Sequence, residues 1–135
     1  MNMRLFLLFL LAGLVLITTV SVEAHHSASS FWHTDQTVVI EGTVKEIRMV
    51  NPHPEMVIEV TDANGEKSDW YISGGGNASA MIRAGWTNDT LIIGERVKVE
   101  GNPSRREGAK ALLSGDVTKS DGSVVSFDSG SAPVQ

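Results

Sequence analysis

The hydrophobic rhythm of this chain changes character several times. Leu5 to Ile17 is a run rich in Leu, Phe, Val and Ile, preceded by Arg4 and followed by the more polar Thr18-Thr19-Val20-Ser21. Residues 25–37, rich in His, Ser and Thr, have no period and read as an irregular N-terminal arm. From Val38 a period of two begins. Val38, Ile40, Gly42 and Val44 alternate with Val39, Glu41, Thr43 and Lys45, and the apolar set then jumps phase to Ile47 and Met49. One extra residue near Lys45-Glu46 repairs the slip, which predicts a β-bulge there, and Gly42 eases a bend.

Asn51-Pro52-His53-Pro54 cannot continue a strand, because neither proline has an amide hydrogen for the ladder. A second strand follows, with Met56, Ile58 and Val60 on one face and Val57, Glu59 and Thr61 on the other, then an Asp62-Ala63-Asn64-Gly65 hairpin turn. Trp70 and Ile72, opposite Asp69 and Tyr71, mark a third strand. After Gly74-Gly75-Gly76, Asn77 is a suitable N-cap for a short helix over 78–84. Gly85 fits the left-handed position after that helix, with Trp86 folding back on Met81. Val97 and Val99 give a fourth strand, Ala111, Leu113 and Val117 a fifth, and Val124, Val125 and Phe127 a short sixth beyond the Asp121-Gly122 turn. The expected fold is mainly β: a small OB-like five-stranded barrel over 38–128, with one short helix between strands three and four and a disordered tail at 129–135. A β-sandwich ranks second, since it wants more strands and has no place for a mid-chain helix.

The leader decides the compartment. Arg4, the apolar run, and Val22-Glu23-Ala24 with small or neutral residues before the junction follow the order of a secretory signal, so residues 1–24 are expected to be removed. The run falls short of the roughly 20 apolar residues that span a bilayer. A periplasmic or secreted protein is expected, without membrane attachment after cleavage. The chain has no cysteine, which excludes disulfides, thiolate metal sites and cysteine nucleophiles. Its formal net charge of −5 argues against nucleic acid as a partner, because that affinity comes from neutralising phosphates.

Several short motifs carry a family resemblance: Ala24-His25-His26-Ser27, Asn51-Pro52-His53, Gly85-Trp86-Thr87, then Leu91, Gly94, Val97, Val99, Gly101 and Asp121-Gly122. In this order the chain resembles the exported bacterial proteins grouped as domain of unknown function six-one-five-two. The resemblance implies an exported, single-domain, OB-like protein of Gram-negative bacteria. Two positions depart from its pattern, Ala28 after His-His-Ser and Pro54 after Asn-Pro-His.

Two candidate sites emerge. Cleavage after Ala24 makes His25 the first residue, whose α-amine and ring nitrogen together close a chelate ring; His26, His33 and His53 are the remaining histidines and complete the candidate metal set. The candidate ions are copper and zinc, which imidazole suits. The plainer reading leaves His25 and His26 solvated and ties His53 to its own turn. The second site is aromatic. Trp70 and Trp86 are assigned to the interior, leaving Trp32 and Tyr71 as a candidate ligand surface. Neither a Gly-x-Ser-x-Gly elbow nor a His-Glu-x-x-His helix occurs, so an enzyme is not the first expectation. The expected function is an exported OB-like binding module whose partner is an unidentified ligand or an envelope protein. A copper-dependent oxidoreductase with a histidine brace and a metal-free envelope adaptor are the alternatives.

Overall fold

In the computed structural model, residues 28–127 are described, together with Asn2 and Met3. The elements in chain order are α1 (Ala28–Phe31), β1 (Val38–Arg48), β2 (Glu55–Thr61), β3 (Lys67–Gly74), α2 (Ala78–Arg83), β4 (Arg96–Pro103), β5 (Ala111–Lys119) and β6 (Val124–Ser126). The sheet order is β3-β2-β1-β4-β5-β6, and β3 also pairs with β5 in parallel, which closes the first five strands into a barrel. A meander, a helix, then a fourth strand beside the first and a fifth that closes on the third is the OB arrangement expected from the sequence.

β1 serves two partners, which is why it is long. Val38 to Thr43 pair with β4 and Thr43 to Arg48 pair with β2. Between Val44 and Glu46 the register with β2 shifts, so Lys45 is the extra residue that the phase jump predicted. A Cβ on Gly42 would lie 2.7 Å from the Ile58 methyl and closer still to the Glu59 carbonyl oxygen, so only glycine lets β1 and β2 approach there.

The core lies inside the barrel, with Val44, Met56, Ile58, Ile72, Val99, Leu112, Val117 and Phe127 fully buried. β5 departs from the expected phase: its core side chains are Leu112 and Val117, and the Ala111 and Leu113 side is only half-buried. The cause is a second irregularity. Val99 faces Val117 whereas Gly101 faces Ser114, so β5 holds one more residue than β4 over that stretch and its alternation inverts.

α2 closes one end of the barrel. The Asn77 side chain accepts from the Ala80 amide at 2.8 Å, as an N-cap should. At the other end the Gly85 amide donates to Ile82 and the Trp86 amide to Met81, with Gly85 at φ 108, the double bond of a Schellman end. This delivers Trp86 to the core at 4 % exposure. Its indole N–H donates to the Ser126 carbonyl at 3.1 Å and its ring meets Phe127 edge-on at 5.5 Å. Pro54, one of the departures from the family pattern, is fully buried and its carbonyl accepts from the Gly74 amide.

Candidate functional site

The segment ahead of β1 is held against the barrel. After the single turn of α1, Trp32 forms a bridge with Ser104, just beyond β4, and the His33 amide donates to the Pro103 carbonyl at 2.9 Å. Arg105 fastens the same segment from the other side, donating from Nε to the carbonyls of Ser29 at 2.7 Å and Trp32 at 3.1 Å. The β4–β5 loop and the N-terminal segment therefore act as one piece.

Strand alternation puts Tyr71 on the outer face of β3, where it is 59 % exposed. The backbone brings it close to that loop: the Tyr71 amide donates to the Lys110 carbonyl at 2.9 Å, and Tyr71 pairs with Ala111 across the closing seam. Trp32 and Tyr71, the two aromatics expected at the surface, line one groove of about 340 Å³, with Arg48, Glu55, Met56, Val57, Ile72, Ser73 and Ala111 as the other walls. Val57 also lines it and is only 6 % exposed, although alternation directs it outward. The groove opens on the outer side of β2 and β3, the face on which OB barrels hold elongated ligands.

The electrostatics of this face are uneven. Arg48 is neutralised by Glu46 at 3.0 Å and Glu55 at 3.1 Å. Elsewhere Lys45 lies 2.9 Å from Asp69, Lys67 2.8 Å from Glu59, Arg96 3.0 Å from Glu41 and Lys119 3.4 Å from Glu95. The hydrogen bond to Asp69 raises the Lys45 pKa above its ordinary value, against a smaller opposing effect of desolvation. Among the described residues the cations outside any ion pair are Arg83, Lys98, Arg105, Arg106 and Lys110, and the last three share the β4–β5 loop. Arg106 lines hollows beside both Trp32 and Tyr71. Phe31, 62 % exposed, adds a further ring on the Trp32 side.

Sequence reasoning missed Phe31 and the three cations. The signal present was Arg105-Arg106 and Lys110 within a few residues of each other in an acidic chain. What hid it was distance along the sequence, since Trp32 and Arg105 meet only once the chain is folded, through the Trp32–Ser104 bridge and the bond from Arg105 Nε to the Trp32 carbonyl.

The candidate metal ligands are placed differently. His25 and His26 lie outside the described residues. His33 and His53 sit at opposite ends of β1, one just before it and one in the loop that follows it. His33 Nδ1 lies 4.0 Å from Asp35 and 3.5 Å from the Gln36 amide nitrogen. The exposed His53 ring turns Nδ1 to the Gly76 carbonyl at 3.2 Å, and because a carbonyl only accepts, Nδ1 is the donor in this contact. Among the described residues no three of His, Asp or Glu converge on a point where an ion could sit.

A second groove, of about 360 Å³, lies near the α2 end, lined by Ile47, Met49, Trp86, Thr87, Asn88, Leu91, Ile92 and Ile93. It offers apolar contact and no charged group. Comparison with known proteins adds one finding: the profile of a family of unknown function (DUF6152) matches residues 13–114. No curated protein and no solved structure matches the chain.

Proposed function

From the premise that the chain belongs to the family of unknown function DUF6152, we propose that it is an exported binding module that takes an elongated ligand across the β2–β3 face of its barrel. One observation carries this reading: Trp32 and Tyr71, distant in sequence, line the same groove, and Tyr71 stays largely in solvent. A large exposed aromatic beside a concave wall gains contact area when a ligand covers it. The reading involves no catalysis.

Export rests on the leader before His25. Mass spectrometry of the protein expressed with its own leader should give a mature chain starting at His25; a chain keeping residues 1–24 overturns export. Binding is tested by titrating neutral and acidic oligosaccharides, oligothymidylate and oligoglutamate while following the ring signals of Trp32 and Tyr71 by NMR. A saturable shift at both rings supports the module. Binding that maps instead to Ile92 and Ile93 overturns the assignment to this face.

A second reading concerns the histidines, favoured by His53, which engages Gly76 through Nδ1 and so keeps Nε2 as the ring nitrogen for another partner. The mature N-terminus would bind copper or zinc through the amine and ring of His25, with His26, His33 and His53 as further candidate ligands. Copper and zinc titrated into the mature protein and into a version with one extra N-terminal residue decide it. Equal binding by the two, or none, ends the chelate reading and leaves the module standing.

A further inference from the structure

We infer that the ligand of this groove is an acidic oligosaccharide, its sugar rings resting on Tyr71 and Trp32 and its carboxylates meeting Arg106 and Lys110. This rests on the binding-module reading above and gives it a ligand class. The β4–β5 loop presents its cations on a built turn: the Ser104 amide donates to the Ala111 carbonyl at 3.1 Å, the Ala109 amide to the Arg106 carbonyl at 3.1 Å, and the Arg106 amide to Ser104 Oγ at 3.1 Å. Arg106 and Lys110 are exposed and outside any ion pair among the described residues, so an incoming carboxylate displaces no internal partner. The Arg106 guanidinium matches a carboxylate with two parallel hydrogen bonds, which a point charge cannot do.

Three observations select a glycan over other anions. The groove is bordered by Glu55 and, at the loop, by Glu107. Carboxylates at the rim accept hydrogen bonds from hydroxyls, and a sugar ring carries several of them. An extended acidic peptide would bind most readily by adding a strand, yet over Tyr71–Ser73, the stretch that lines the groove, β3 is paired on both sides, with β2 and with β5. What is left exposed is aromatic ring, and the faces of pyranose rings suit it.

The test uses the protein expressed from its full sequence, titrated with hexagalacturonate and with the same hexamer fully methyl-esterified. Oligothymidylate and oligoglutamate serve as competing classes. Hexagalacturonate should shift the Trp32 and Tyr71 ring signals saturably, and the ester should bind about tenfold or more weakly, because charge-assisted bonds are lost. Raising the salt should weaken the acid form only. An R106Q/K110Q variant should lose about the same factor for hexagalacturonate and leave the residual ester binding unchanged, while keeping the wild-type circular dichroism. Equal binding of acid and ester, or an unaltered R106Q/K110Q, overturns carboxylate recognition while the module reading survives. Shifts produced by oligothymidylate or oligoglutamate and not by either glycan overturn the ligand class alone. Silence of both rings towards every probe overturns the inference and the assignment of this face together.

Discussion

The inside and the outside of the barrel treat large aromatic rings in opposite ways. Near α2, Trp86 is 4 % exposed, donates its indole N–H and stacks edge-on against Phe127. On the outer face of β3, Tyr71 is 59 % exposed, and its backbone is fixed at both edges of the strand while its ring is left to solvent. The difference lies in how each ring is delivered. A Schellman turn folds Trp86 inward, and strand alternation turns Tyr71 outward. The first ring spends its contact area on folding. The second keeps its area available for something else.

The sharpest break of this contrast is Trp86→Ala. It should destabilise the protein by about 3–5 kcal/mol, a large share of a small domain's total, read as a lower denaturant midpoint. A loss below about 1 kcal/mol would mean that this end repacks and that the contrast is weaker than the burial suggests. Asn77→Ala should cost about 1 kcal/mol by removing the cap of the helix that carries Trp86, measured in the same denaturant series. An unchanged midpoint would detach the cap from the Trp86 end. Tyr71→Ala should change stability by no more than about 0.5 kcal/mol while abolishing the ligand-induced shift at Trp32. A large destabilisation would move Tyr71 into the class of Trp86 and remove the basis for the groove.

The smallest effect concerns acid. The Ser123 hydroxyl and amide, bonded to Asp121 at 2.6 Å and 2.9 Å, hold that carboxyl below its ordinary value of 3.8. A lowered folded value means the fold favours the ionised form. The turn's stabilisation is therefore present above the ordinary value and is lost as pH falls through the lowered one. An acid titration by NMR should show the Ser123 amide moving before the Trp86 indole. Simultaneous movement would mean that the turn and the Trp86 end yield as one unit, because the carbonyl that Trp86 uses belongs to β6.

How much of this was legible depended on the range of the contacts involved. The bulge at Lys45 showed as a phase jump between Val44 and Ile47, and the end of α2 showed in Gly85-Trp86, because both are decided within a few residues. The inversion of β5 did not show. It depends on how Ser114 to Val117 lie against β4, and Ala111 and Leu113 read as well inward as Leu112. At the groove, Trp32 and Tyr71 could be picked out as rings without a place in the core. Their meeting with Arg106 could not, since it depends on the Trp32–Ser104 bridge and on Tyr71 pairing with Ala111. The histidine set was legible only as chemistry: His33 and His53 are separated by the whole of β1, and His25 and His26 fall outside the described residues.

The parallel pairing of β3 with β5 closes the barrel over only four residue pairs, from Tyr71–Ala111 to Gly74–Ser114. The groove lies across that closure, with Tyr71 on one side and Ala111 on the other. Anything bound there grips both lips of the barrel at once and has no equivalent purchase on a chain whose lips have parted. Occupancy and closure are thus thermodynamically linked, and a ligand works as a clasp whose hold grows with its concentration. Amide hydrogens along the Tyr71–Gly74 stretch are then the natural gauge of occupancy, slowing their exchange when the clasp is on even though none of them touches the ligand.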